Sequence, residues 1–364
     1  MNILYIEPYY SGSHKRWIDC YRKYSDHHID ILSLPGNKWK WRMHGGAITL
    51  ADQFIESNKT YDLILCSDFL NLPVFKSLVK HKTKNTSFVM YFHENQLSYP
   101  WSPDDDDLKL NRDLHYHYIN YTSSLVADFN LFNSEYHKQS YITALKRYLK
   151  KMPDHNNFES IDVINAKSDV LYIGCELNRF DKYKCTKKSS NKPLILWNHR
   201  WEYDKNPDYF FNVLFKLKND NIDFELAVLG QSFKTYPDIF DKAKDILSDN
   251  LIHFGYCDDF DDYAKWLWRS DVLPVTSNQD FFGISVVEAA YCNTTPILPN
   301  RLTYPELFDI KNNSNLFYND EKEFYIKLKN LLTSKEKYHY NLNFNCFDWL
   351  SMSKIYDKRF AEFY

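Results

Sequence analysis

Two doubly wound α/β domains in tandem are what the sequence predicts, and three observations carry that expectation. Short, nearly continuous apolar runs recur with helix-like stretches between them, the pattern of parallel strands buried on both faces. The runs fall into two series separated by a polar, lysine-rich segment with almost no aliphatic residues. A length of 364 residues exceeds one ordinary core and suits two domains of roughly 150 to 200 residues each.

The first series is NILYIE (2–7), HIDILSL (28–34), DLILCSD (62–68), SFVMYFH (87–93), DFNLFNS (128–134) and DVLYIG (169–174). The second is LILWNH (194–199), FELAVLG (224–230), LIHFGY (251–256), DVLPVTS (271–277) and TPILPN (295–300). Strand, helix, strand repeated twice over gives domains at 1–174 and 194–343, with residues 175–193 as the linker between them. The last segment, 344–364, carries aromatic and aliphatic residues at helical spacing and is expected to pack back on the first domain. In open α/β sheets ligands sit beyond the carboxyl ends of the strands, so two such domains are expected to face each other across a central cleft.

Composition narrows the class further. Apolar residues at 44% and charged residues at 26% are ordinary for a globular protein, whereas 18% aromatics is high. Seven scattered cysteines without a C-x-x-C pair argue for a reducing compartment and against a disulfide framework or a zinc site. The chain enters an apolar strand at once, with no basic leader, and no apolar run reaches the length of a membrane span. A cytoplasmic protein without stable membrane association is expected. A net charge of −3 gives no global attraction to nucleic acid, so such a partner would need a local basic patch.

At the end of the first strand stands EPYYSGSHKRW, where Gly12 and Ser13 precede a helix and His14 follows. Such a turn either presents backbone N–H groups to a phosphate or simply caps the helix through Ser13. The fourth strand ends in YFHENQLSYPWSP, which clusters His93, Glu94 and Asn95. His93 is a candidate acid, base or oriented hydrogen-bond donor, or else a loop-capping histidine. The pair in HYHY (115–118) has an i, i+2 spacing that puts its histidines on different helix faces, and no metal site is expected.

In the second domain, Arg200 and Lys205 follow a buried strand and precede the helix that NPDYFF starts. A guanidinium and an ammonium at a helix N-terminus suit a diphosphate; the plain alternative is a solvated Asp204–Lys205 surface pair. Gly230, in LGQSF, could shape the same pocket. SNQDFFGISVVEAAYCN (277–293) then sets Asp280 in a loop, Phe282 and Gly283 at the turn, and Glu288 on the helix beyond. Carboxylates so placed can hold sugar hydroxyls and a ribose diol.

These residues resemble the retaining nucleotide-sugar glycosyltransferases of the GT-B fold, glycosyltransferase family 4. Within that group the chain is similar to the tRNA-queuosine α-mannosyltransferase family. The resemblance runs through GSHKRW, WKWRMHGGA, YFHENQLSYP and LVADFNLFNS in the first half, and HRWEYDKNP, FELAVLGQSF, FFGISVVEAAYC and LTYPELF in the second. It implies mannose transfer, with retention, from GDP-mannose to the cyclopentenediol of queuosine in the anticodon of aspartate tRNA, with no cofactor and no metal. The first domain would then take the acceptor, with His14, Glu94 and Asn95 at its cleft, and the second the donor. The resemblance further implies that Arg200 and Lys205 bind the diphosphate, that Glu288 binds the ribose, and that Asp280 binds the mannose hydroxyls. Gly12 and Ser13 would close over the phosphates, with Gly230, Phe282 and Gly283 shaping the donor loops, and His93 would face the reacting sugar. The family prefers glutamate where this chain has Asp280, which draws the charge back by about 1.5 Å, one C–C bond.

A tRNA partner requires basic surface. HKQSYITALKRYLKK (137–151), with Lys146, Arg147, Lys150 and Lys151, and KYKCTKKSSNK (182–192) concentrate cations, while NKWKWRMH (37–44) interleaves Lys38, Lys40 and Arg42 with indoles that can stack on bases. Each has a plain reading as a solvated helix face or a linker. Two other functions stay open from sequence: a family 4 enzyme with a lipid or polysaccharide acceptor, for which residues 137–151 would lie on a membrane surface, and a tRNA-binding protein with a non-catalytic donor site.

Overall fold

Every apolar run of the two series contains a strand, and the strands assemble into two separate parallel sheets. The computed structural model describes residues 1–102, 105–110, 114–184, 190–334, 340 and 342–364. One unit comprises Met1–Gly174 with Phe347–Tyr364, the other Cys175–Cys346.

In the first unit the strands are β1 (Asn2–Tyr10), β2 (His28–Pro35), β3 (Leu63–Ser67), β4 (Ser87–Phe92), β5 (Phe129–Phe132) and β6 (Ser168–Val170). Their order is β2-β1-β3-β4-β5-β6, every pairing parallel, with Ile3 opposite Leu63 and Leu63 opposite Ser87. The order reverses at β1 and β3, so the crevice beyond their carboxyl ends is the topological switch point. Alternation of side chains along each strand sends Leu4, Ile6, Ile64, Cys66 and Met90 to one face, into a core completed by Leu50 and Phe54 of the helix Trp39–Glu56.

The opposite face explains the high aromatic content. Tyr5 and Tyr91 meet Trp17 of the helix Gly12–Tyr24, with centroids 5.4 and 4.4 Å apart. The chain's last helix, Trp349–Ala361, covers this layer: Trp17 Nε1 donates to Tyr356 Oη (3.0 Å) and Tyr21 Oη to Asp357 (2.7 Å). Asp348 caps that helix by accepting from Leu350 N.

The second sheet is β7 (Leu194–Trp197), β8 (Glu225–Val228), β9 (Leu251–Phe254), β10 (Val272–Pro274), β11 (Thr295–Pro299) and β12 (Phe317–Tyr318). It runs β12-β11-β10-β7-β8-β9, all parallel, which is the dinucleotide-binding order with its switch point between β7 and β10. β12 was not anticipated; two residues are too short to register as a periodic run. The core joins Ile195, Trp197, Leu226 and Val228 to Phe210, Phe211 and Leu214 of the helix Pro207–Asn219.

Residues 175–193, expected as a free linker, are only partly that. Cys175, Leu177 and Phe180 are buried, Phe180 packs edge-on against Phe260 at 4.9 Å, and Trp268 Nε1 donates to Phe180 O at 2.8 Å. The apolar residues spaced through Cys175–Phe180 were masked by their charged neighbours. Residues 185–189 lie outside the described residues, so the lysine-rich patch at 182–192 is described only at its ends.

Trp349 is 1% exposed, and an alanine Cβ at Gly174 would stand 2.4 Å from its ring. Trp349→Ala is expected to cost about 3–5 kcal/mol. Overpacking by Gly174→Ala is expected to cost about 1–3 kcal/mol. Both are read as lowered urea midpoints of the first unit's transition.

Candidate active site

In the first unit, side chains from the ends of β1, β3 and β4 converge at the switch point. Glu7, fully buried, receives four donors: Tyr5 Oη (2.8 Å) and His14 Nδ1 (2.9 Å) at Oε2, Ser67 Oγ (2.9 Å) and the Tyr9 N–H (2.9 Å) at Oε1. Burial opposes a charge on Glu7, but His14 beside it outweighs that and holds the carboxyl below its usual range. Burial likewise opposes charge on His14, yet Glu7, with Asp68 and Glu94 beyond, raises it to about 9. His93 stands 4.2 Å from His14 between ring centroids; burial, then the cationic His14, drives its pKa well below 6.5. Asp68 accepts the His93 N–H at 2.9 Å, and burial raises its own pKa.

Sequence reasoning named His14 and His93 here and missed Glu7, Asp68 and Tyr5. The signal was an acid closing each of two apolar strands. Glu94 accepts from Gln96 Nε2 at 3.1 Å. Asn95 departs from expectation: it is fully buried, and its amide bonds Ser98 N (2.8 Å) and Ser98 Oγ (2.9 Å), closing the turn instead of lining a cleft. Gly12 (φ +52°) and exposed Ser13 open the helix Gly12–Tyr24, whose N-cap residue is Ser11, with no side-chain cap. Ser13 lies inside the helix, so the Ser13 capping alternative falls.

Glu7, His14 and His93 are also the one set of three among the described residues whose donor atoms could converge on a metal. Two of the three are already joined, His14 Nδ1 to Glu7 Oε2 at 2.9 Å, and Glu7 accepts three further donors, so the pair is a buried hydrogen-bonded ion pair.

In the second unit, Lys205 is not a solvated turn residue. It is buried, with Nζ 2.9 Å from Asp280 Oδ1, 3.1 Å from Asp204 Oδ2 and 2.7 Å from Gln279 O. Burial works against its charge, but Asp280 and Asp204 prevail and raise its pKa. Burial and Lys205 act in opposite directions on Asp280, and Lys205 prevails, lowering it. Tyr304 Oη donates to Asp280 Oδ2 at 2.5 Å, so each carboxylate oxygen already has one donor. Arg200, 45% exposed at its side chain, lies 3.7 Å from both Glu202 and Asp204.

Glu288 is 3% exposed on the helix Ile284–Tyr291 and accepts from Tyr263 Oη at 2.9 Å. Gly283 starts that helix at φ +81°, left-handed backbone that a side chain resists. Phe282 is buried, so its side chain belongs to the core and only its backbone is left to shape a donor loop. Gly230 (φ +96°) permits a close approach: a Cβ there would lie 1.9 Å from His199 O.

Beside these stand residues the sequence reading passed over. Asn198 Oδ1, His199 Nε2 and Gln279 Nε2 are buried without a hydrogen-bond partner among the described residues, and the first two sit just beyond β7 at the switch point. Orphaned buried polar atoms clustered at a Rossmann crevice mark a site built for a polar ligand.

Comparisons with known proteins place the chain in a family. Residues 2–175 match the family described as tRNA-queuosine α-mannosyltransferase N-terminal, and residues 179–342 match glycosyl transferases group 1. The tRNA-queuosine α-mannosyltransferase of Drosophila melanogaster is 32% identical over 370 residues, covering 98% of this chain and 95% of that protein. The chain belongs to the tRNA-queuosine α-mannosyltransferase family. It is a glycosyltransferase. Its fold is GT-B, shared with a sucrose-phosphate synthase from Thermosynechococcus elongatus (TM-score 0.66, 14% identity, 100% of both chains). A glycosyltransferase from Rickettsia africae shares it too (TM-score 0.65, 16% identity, 100% of this chain and 98% of that one).

For this family member the basic segments separate clearly. Lys146, Arg147, Lys150 and Lys151 are exposed at the end of the helix Glu135–Leu149 with no ion pair among the described residues. Lys40, by contrast, lies 2.6 Å from both Asp105 and Asp107, and Arg42 donates to Asn37 Oδ1 and Pro35 O. The expected tRNA contact at Lys40 is corrected, because two acids of a distant segment meet its charge; Arg42 is hydrogen-bonded only to neutral groups among the described residues and keeps its charge. Lys38 remains exposed, and so does Trp41 at 63%.

His199 supplies a pH test. Burial, with Lys205 and against Asp280, lowers it from 6.5 to about 4. Between those values the unfolded chain binds a proton that the native site refuses, so the second unit loses stability as pH falls. His199→Asn is expected to remove about 2 kcal/mol of the stability change between pH 7 and pH 5, measured by urea unfolding at each pH.

Proposed function

We propose that this enzyme transfers mannose from GDP-mannose, with retention, to the cyclopentenediol of queuosine at the wobble position of aspartate tRNA. The observation that carries the reading is that the likeness covers both halves: the second matches glycosyltransferases in general, while the first matches the queuosine family specifically.

In this reading Lys205 and Arg200 hold the diphosphate and Glu288 the ribose diol. Asp280 acts first on Lys205, fixing the ammonium between two carboxylates and a carbonyl; its remaining lone pairs are what is left for a mannose hydroxyl. The cations and the helix N-terminus at Gly283 neutralise the departing diphosphate, so the reaction requires no divalent metal. The first unit's contribution to this reading is His93, with Gly12 and Ser13 supplying backbone N–H groups for phosphate at a helix start whose N-cap residue, Ser11, makes no side-chain cap. The compartment in this reading is the cytoplasm; none of the described cysteines is in a disulfide, and no described helix is long and apolar enough to cross a membrane.

Incubation with labelled GDP-mannose and tRNA from cells with and without queuosine tests the reading. Label is expected only in queuosine-containing tRNA; transfer to lipid, or binding without transfer, would overturn it. Glu288→Ala is expected to raise the donor Kd roughly 10- to 100-fold, the cost of one buried charged hydrogen bond. Arg200→Ala should lower kcat on the order of 10²-fold, by loss of transition-state charge stabilisation. Neutralising Lys146, Arg147, Lys150 and Lys151 together should weaken tRNA binding and flatten its salt dependence, as read by filter binding across a salt series, while leaving donor affinity unchanged.

A further inference from the structure

We propose that Glu7, His14 and Tyr5 are positioning residues that lock the ring of His93 in one tautomer, Nδ1 bearing the lone pair, to accept a hydrogen bond from a hydroxyl of the acceptor diol. The inference rests on the glycosyl transfer proposed above and assigns a function to a buried cluster that the donor chemistry does not use.

The geometry is a chain of four side chains. His14 Nδ1 meets Glu7 Oε2 at 2.9 Å; the same oxygen accepts from Tyr5 Oη at 2.8 Å; Tyr5 Oη lies 3.4 Å from His93 Nε2. Tyr5 has one proton, and Glu7 takes it. The Tyr5 oxygen can then only accept from His93, which puts the proton of a neutral His93 on Nε2 and the lone pair on Nδ1. The His93 backbone is fixed independently, its N–H donated to Asp68 (2.9 Å) and its carbonyl accepting from Asn133 Nδ2 (2.8 Å). Trp17 and Tyr91 wall the ring at 4.8 Å each.

Charge supplies the second half of the argument. A fully buried carboxylate with four donors is ionised, and the cation nearest to it is His14. The imidazolium 4.2 Å from the His93 ring opposes a second positive charge there. Around His14 stand Glu7 from β1, Asp68 beyond β3, and Glu94 and His93 beyond β4; His137, from the helix Glu135–Leu149, also bears on His93. The acids favour a proton on His14, and His14 and His137 disfavour one on His93. His14 is thereby excluded as the exchanging acid or base at neutral pH, and His93 is left as the acceptor.

Nitrogen-15 spectra of the imidazoles, taken on the full chain through a pH titration, read this without reference to activity. Wild-type His93 is expected as the Nε2–H tautomer, staying neutral well below the usual histidine range. His14→Gln removes the neighbouring cation and leaves Glu7, so the His93 pKa should rise by about one unit or more. Tyr5→Phe keeps the ring and removes the hydroxyl, and should mix the two tautomers. In the transfer assay His14→Gln should lower kcat on the order of 10²-fold, the cost of misplaced reacting groups, with donor KM unchanged and the acid limb of the pH profile moved upward. An unmoved His93 titration in folded His14→Gln, or an Nδ1–H tautomer in wild type, would overturn the inference. Absence of mannose transfer by wild type with the expected spectra would instead count against the proposed reaction.

Discussion

A buried charge must find its counter-charge within reach, and in both units that constraint organises the ends of the central strands. Glu7 on the first strand is tolerable because the first turn of the following helix carries His14. Lys205 is tolerable because Asp204 and Asp280 close on it from two loops. Removing one member of such a pair strands the other, which costs far more than the pair itself contributes. The ion pairs therefore fix where the loops go, and the loops carry the remaining site residues.

The two units meet the constraint with opposite sign. In the second, a cation sits between acids at the crevice of a dinucleotide-type sheet, beside the orphaned polar atoms of Asn198, His199 and Gln279. In the first, acids surround a single imidazolium. His14, raised to about 9, stabilises its unit below pH 6.5 and loses that contribution as pH rises through 9, whereas His199, lowered to about 4, disfavours the native state as pH falls below 6.5. Neutral pH is where both are in their native protonation state.

Much of the fold was legible because parallel strands buried on both faces are written as unbroken apolar runs. The two-residue strand Phe317–Tyr318 escaped for lack of length, and Cys175–Phe180 escaped because Glu176, Asn178 and Arg179 conceal three buried residues. The candidate site was legible where chemistry-bearing residues cluster in sequence, as at His93, Arg200, Lys205, Asp280 and Glu288. It was illegible where they come from distant strands. Glu7 and Asp68 look like ordinary strand ends until the sheet sets them side by side, and nothing local tells that Tyr304 reaches Asp280 across 24 residues. Lys40 misled for the converse reason, since Asp105 and Asp107, far along the chain, neutralise it.

The helix Trp349–Ala361 belongs to the first unit although the whole of the second lies between them in sequence. During synthesis, Trp17, Tyr21 and Tyr91 are exposed to the ribosome's surroundings until that helix emerges, roughly fifteen to seventy seconds later at about 5–20 residues per second. The layer behind the ring wall that holds His93, with Tyr356 on Trp17 and Tyr91, thus forms only after the second unit's strands have been made. A nascent chain can shape its second sheet before its first is sealed, so a truncated product lacks the buttress behind the acceptor-side histidine even when every strand is present.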